Sequence, residues 1–159
     1  MSFQYRDNIS PALAQLARGI ANKKPILEAM GTQLESLTKR AFNEPALRPI
    51  PWKAKRDGSP ATLRKNQLLV RSIRIVDLTN DHVTVGTDRI YAAIHQLGGV
   101  IRPKGRALVF SIGGRKIFAK KVTIPARPFF PFIGDTMIPA AREKIRLVAE
   151  AKIRALVRQ

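Results

Sequence analysis

Side chains able to do chemistry are few in this chain, and their spacing decides what they can do. Only two histidines are present, His82 and His95. They fall in different predicted elements with no HxxxH, HxH or H-E-x-x-H spacing, so a zinc site is not expected. Tyr91 and His95 stand four residues apart and would share a helix face. Such a pair can orient a proton relay, although a packed tyrosine beside a hydrogen-bonded histidine accounts for it as well. Asp77, Asp81 and Asp88 gather around one predicted hairpin and could in principle hold Mg²⁺ for a nuclease. Plainer roles cover them: Asp81 in a turn, Asp88 as a helix cap, Asp77 at an exposed strand position. Gly113-Gly114-Arg115-Lys116 has the residue types of a phosphate loop but lies between strands, without the helix N-terminus that holds phosphate. No residue is assigned a catalytic role, an enzyme is not expected, and neither is a cofactor or a metal.

The charge is the stronger signal. The formal net charge is +18, and residues 89–134 contain nine Lys or Arg and not one Asp or Glu, half of that total. A segment of this kind implies an acidic or polyanionic partner surface. Nucleic acid is one such partner, since each neutralised phosphate releases counterions. Basic faces that dock on acidic proteins are the other, and the ten aromatics do not alternate with the cations as a stacking surface would require.

These residues need elements to position them. Over 159 residues with 45% hydrophobic content, the chain is long enough for one cored domain, burying roughly 70% of its unfolded surface. It has no cysteine, which excludes disulfides and thiolate chemistry. No run of eighteen apolar residues or leader-like start occurs, so neither a membrane span nor a signal peptide is expected.

Ser10-Pro11 reads as an N-cap followed by a first-turn proline, opening a helix to about Ala21. Pro25 opens a second, whose Leu27, Met30, Leu34, Leu37 and Ala41 make one apolar stripe. Prolines 45, 49, 51 and 60 with Asp57-Gly58 make an extended basic loop around the single tryptophan, Trp52, read as a docking arm. A short helix over Ala61–Gln67 follows. Ser72–Leu78 and His82–Gly86 form a hairpin through Thr79-Asn80-Asp81. Asp88 caps a short helix, Ile90–Leu97, which Gly98-Gly99 ends. Ala107–Ile112 and Lys116–Ile124 flank Gly113-Gly114 as a second, long hairpin. Lysine and arginine on such an edge also oppose aggregation. A last helix runs from Thr136 or Ile138 to about Val157, with Ile138, Ala141, Ile145 and Ile153 inward.

The elements add up to an α+β fold. It has an antiparallel or mixed sheet of about four strands, two N-terminal helices and one long C-terminal helix packed on it, an extended β-hairpin and a proline-rich loop. One domain over 1–159 is expected, divided into N-terminal helices (1–42), basic loop (43–68), sheet with short helix and hairpin (69–134) and C-terminal helix (135–159).

With these segments in order, the chain resembles the phage virion morphogenesis family, the tail completion or tail terminator proteins of tailed bacteriophages and Mu-like prophages. The resemblance covers most of the chain. It rests on Trp52 in its proline-rich loop, Leu69 to Ile75, Val83-Thr84-Val85-Gly86-Thr87, the run Ile90-Tyr91-Ala92-Ala93-Ile94-His95-Gln96-Leu97-Gly98-Gly99, and Ile124-Pro125-Ala126-Arg127-Pro128-Phe129 before a C-terminal helix. One departure is Phe130-Pro131-Phe132-Ile133-Gly134, where family members often have Leu-Gly directly after Arg-Pro-Phe.

The resemblance implies a non-catalytic virion subunit at the head-tail junction, made in the host cytoplasm. It closes into a ring of six, caps the tail tube protein and docks on the head connector or stopper protein. Genomic DNA would pass through its channel, and no membrane is involved. Subunit and partner contacts are expected at Trp52, Lys53, Lys55 and Arg56 of the loop, at Arg102, Lys104, Arg106, Arg115, Lys116, Lys120 and Lys121 of the hairpin, and at Arg127, held between prolines for a carboxylate. A basic DNA-binding or head-proximal connector protein is the competing reading.

Overall fold

A computed structural model describes residues 21–64, 66–112 and 114–157, together with Ala17. The predicted helix from Pro11 lies almost wholly outside the described residues. The helix opened by Pro25 is α1, Lys24–Arg40. Its stripe is inward as the spacing requires: Leu37 and Ala41 are buried, and Met30 and Leu34 pack against them. Buried Thr38 returns its hydroxyl to Leu34 O at 2.8 Å, so no polar atom is stranded there.

α1 is the middle layer. On one side it meets the C-terminal helix α4, Pro139–Val157, through Leu37, Ala41, Ala141 and Ile145, with Leu47 closing the cluster. On the other it lies on a hairpin of β1, Arg74–Leu78, and β2, Val83–Gly86. Gly31 permits that approach: a Cβ there would come within 2.5 Å of the Val83 side chain. β1 carries an irregularity between Ile75 and Asp77, and the Ile75 N–H finds Glu35 Oε2 of α1 at 3.2 Å. A helix side chain thus supplies an acceptor where the ladder is broken.

A second cluster holds Phe42, Leu69, Ile73, Ala92 and Phe129, with Trp52, Val85 and Phe130 at its margin. It gathers α2, Leu68–Ser72, and α3, Ala92–Leu97, around the chain that follows α1. The helix predicted over Ala61–Gln67 is not there: 61–67 is irregular, with Gln67 left-handed at φ 54°, and helical turns begin only at Leu68. Nor does Asp88 cap α3, whose N-terminus has no side-chain cap. Asp88 faces Arg74 at 3.6 Å and Arg89 at 3.1 Å instead.

The fold is α+β, but its strands make four two-stranded ladders rather than one continuous sheet. Besides β1–β2, β3 (Gly99–Ile101) pairs with β6 (Val122–Ile124), β4 (Leu108–Ile112) with β5 (Arg115–Ala119), and β7 (Phe132–Ile133) with β8 (Thr136–Met137). Prolines 103, 125, 128 and 131 lie between these strands, and a proline lacks the N–H that would extend a ladder. The second hairpin therefore differs from expectation: β5 ends at Ala119, and Val122–Ile124 returns to β3, not to β4. Residues 99–124 make an interrupted antiparallel arm, with 102–107 opposite only Lys120 and Lys121 at the break.

Candidate functional site

The two motifs richest in specific residues meet face to face. Gln96, near the end of α3, accepts from the N–H groups of Phe129 and Phe130 through one amide oxygen, at 2.9 and 3.0 Å. The Arg127 N–H donates to His95 O at 2.7 Å. Gly98, which ends α3 at φ 72°, leaves room for this strand of chain, since a Cβ there would stand 2.7 Å from Ala126 N. Phe129 is consequently driven into the core, fully buried between Phe42 and Phe130 at ring distances of 5.2 and 5.1 Å. Burial of such a ring stabilises by about 3 kcal/mol.

The proline-rich loop is tied to the same place. Trp52 donates its indole N–H to Pro128 O at 2.7 Å and meets Phe42 edge-on at 5.7 Å. Arg48 stacks over the other part of the indole, 3.9 Å from the ring centroid, while donating to Ala41 O and Phe42 O just beyond α1. Its guanidinium supplies donors to carbonyls that the helix end leaves free. Arg127 reaches across to Lys53 O at 2.9 Å and Ala54 O at 3.1 Å. So Trp52 does not project as a docking arm: its N–H and one flank are consumed inside the chain, where it fastens the loop. Arg127 likewise binds two backbone carbonyls of its own chain instead of a carboxylate.

The remaining predicted contact residues divide into two groups. Lys53, Lys55 and Arg56 lie exposed on the fastened loop, whose turn is closed by Asp57 accepting from the Ser59 N–H and hydroxyl. Those bonds hold the Asp57 carboxyl below its ordinary range. Arg102, Lys104, Arg106, Lys120 and Lys121 are exposed at the break in the arm, and Arg115 and Lys116 beside its tip. Among the described residues none of these cations stands at ion-pair distance from a carboxylate; acids pair elsewhere, as Glu143 and Glu150 do with Arg146.

The tip of the arm has two unlike faces. Leu108, Phe110, Ile117 and Ala119 are half-buried on one. On the other, Val109 and Phe118 stand directly opposite each other across the ladder and are 58% and 69% exposed. A bare cross-strand apolar pair surrounded by unpaired cations is a surface with something left to bind.

The groups that might have done chemistry are dispersed. His82 pairs with Asp77 at 2.6 Å on the surface, and Asp81 with Lys23 at 3.5 Å. Among the described residues no group of three His, Asp or Glu side chains could hold a metal ion, and no helix is long and apolar enough to cross a membrane. Tyr91 and His95 do meet, edge to face at 6.0 Å, but the histidine is not fully hydrogen-bonded, because its buried Nδ1 has no partner among the described residues. Burial first, then the Arg127 charge, hold its pKa below the ordinary 6.5. Beside it opens a cleft of about 550 Å³, walled by the loop 61–67. Sequence reasoning missed this cleft and the bridging role of Gln96. The only signal was that Gln96 belongs to a motif whose partner segment lies some thirty residues on.

The phage virion morphogenesis family matches residues 6–152. The Mu-like prophage FluMu G protein 2 of Haemophilus influenzae is 36% identical over 122 residues, which span 76% of this chain and 75% of that protein. No solved structure matches the chain. The segments locked together here, His95–Gly99 and Pro125–Phe130, lie inside the matched region, and the chain belongs to the phage virion morphogenesis family, with a structural part in building the virion.

Proposed function

We propose that the chain is the tail terminator or tail completion subunit at the head-tail junction. Copies close into a ring of six that caps the tail tube protein and docks it on the head connector. Each subunit contacts the next head to tail, the arrangement that closes a ring when the rotation between copies permits. The arm 99–124 supplies that contact. The observation that carries the reading is its exposed Val109–Phe118 pair set among cations that no carboxylate of the described residues neutralises. An acid-bearing surface on a neighbour would satisfy both features. Within this chain, 75–88 carries Asp77, Asp81 and Asp88 and no Lys or Arg, a complement available to every copy.

Negative-stain imaging and mass photometry of the purified protein test this. Discrete rings are expected, lost in a Lys116→Glu/Lys120→Glu variant whose circular dichroism is unchanged. A monomer at every concentration, alone and on tail tubes, overturns the assignment. The same uncompensated charge also favours a second reading, a DNA-gripping neck protein. Retention on duplex DNA that falls steeply with salt, by a monomer, would select it.

A further inference from the structure

We infer that the cleft between the loop 61–67 and α3 is a binding site for an acidic, partly apolar peptide segment of a partner protein. Its walls combine two kinds of group. Lys55, Arg64 and Arg127 bring three positive charges to it, while Leu63, Leu69 and Tyr91 supply apolar surface. No carboxylate lines it, and among the described residues none of the three cations has an acid at ion-pair distance. Like charges gathered without a counter-ion repel, and a carboxylate placed between them relieves that cost.

The loop wall is strained as well. Leu63 and Gln67 both hold left-handed backbone, φ 51° and 54°, the only non-glycine residues of the described chain to do so. Such conformations cost of order 1–3 kcal/mol each and persist where the surroundings impose them, commonly at binding sites. Arg64 is braced from behind by Asn43, whose side-chain oxygen accepts from its guanidinium.

The size of the cleft suits one or two side chains, not a duplex about twenty ångströms across, and its apolar share would be wasted on a phosphate backbone. Tyr91 already has His95 against it, which leaves less of a stacking platform of the kind single strands use. The site stands apart from the arm, so it neither needs nor excludes the ring.

Fluorescence anisotropy with the full chain provides the test, using a short labelled peptide alternating glutamate and leucine, its glutamine-leucine counterpart, and an oligothymidine. The acidic peptide should saturate, with the glutamine version about tenfold weaker, the loss of one charged contact. Lys55→Gln with Arg64→Gln should weaken it by a similar factor, while Lys120→Gln with Lys121→Gln on the arm should not. Lys55→Gln alone, at a fully exposed position, serves if the double variant fails to fold. The His95 imidazole resonances should titrate at higher pH with the acidic peptide bound, a readout confined to this site. No saturation, equal loss in the arm variant, or tighter cleft-dependent binding of oligothymidine would each overturn the inference.

Discussion

Around Gln96, two backbone N–H groups share one amide oxygen and Phe129 is fully buried. A few residues further along the same segment, Val109 and Phe118 face water and the cations beside them have no partner among the described residues. Both regions are rich in glycine, proline and basic residues, and composition alone would treat them alike. The contrast teaches that specific motif residues are used here to close the fold, whereas the less distinctive basic ribbon is left open to partners. Arg127 shows the point within one side chain: it is a cation of the basic segment, yet its donors go to Lys53 O and Ala54 O.

Substitutions can break the contrast. Phe129→Ala should have the largest effect, about 4 kcal/mol of lost stability by urea unfolding, because it empties the centre of the second core. A loss under about 1 kcal/mol would mean that this core does not hold the lock. Gly98→Ala comes next at about 3 kcal/mol, combining a left-handed backbone with a collision against Ala126 N. Gln96→Ala should cost about 2 kcal/mol, since the N–H groups of Phe129 and Phe130 lose their acceptor; full stability in that variant would deny the bridge.

pH sharpens the same comparison. The folded state holds His95 below its ordinary 6.5, so the unfolded chain binds the proton more readily. The stability gained from the neutral ring is complete above about pH 6.5 and declines as pH falls toward the lower folded value. Denaturation between pH 7 and 5 should therefore show a downward slope that His95→Gln flattens. At the other end, Phe118→Ser should change monomer stability by less than about 0.5 kcal/mol while impairing ring formation in mass photometry. A large loss of stability would place Phe118 in the fold instead of at a contact.

Parts of this architecture were legible before any coordinates. The α1 stripe, the start at Pro25, the β1–β2 hairpin and the two-residue turn at Gly113-Gly114, flanked by the Ile112–Arg115 pair, follow from spacings of two to four residues. The helix expected at Ala61–Gln67 failed because two of its residues adopt left-handed backbone, which no propensity favours for leucine or glutamine. Trp52 could not be oriented from its neighbours, because its fixed partner, Pro128 O, lies 76 residues away. The pairing of Val122–Ile124 with β3 was hidden in the same way: an uninterrupted hairpin was the simpler local reading, and the break at Lys120 and Lys121 breaks no turn rule.

The sequence by itself determined the α+β character, the apolar stripe of α1, the cationic excess of 89–134 and membership of the family, since periodicity, charge and motif order all survive without coordinates. Only the tertiary structure decided that Trp52 and Arg127 turn inward, that Gln96 joins two distant motifs, and that a cleft with three unneutralised cations opens beside His95. Those outcomes depend on hydrogen bonds and close approaches between segments tens of residues apart, and such pairings are chosen by the packing of the whole chain, not by any local pattern of residues.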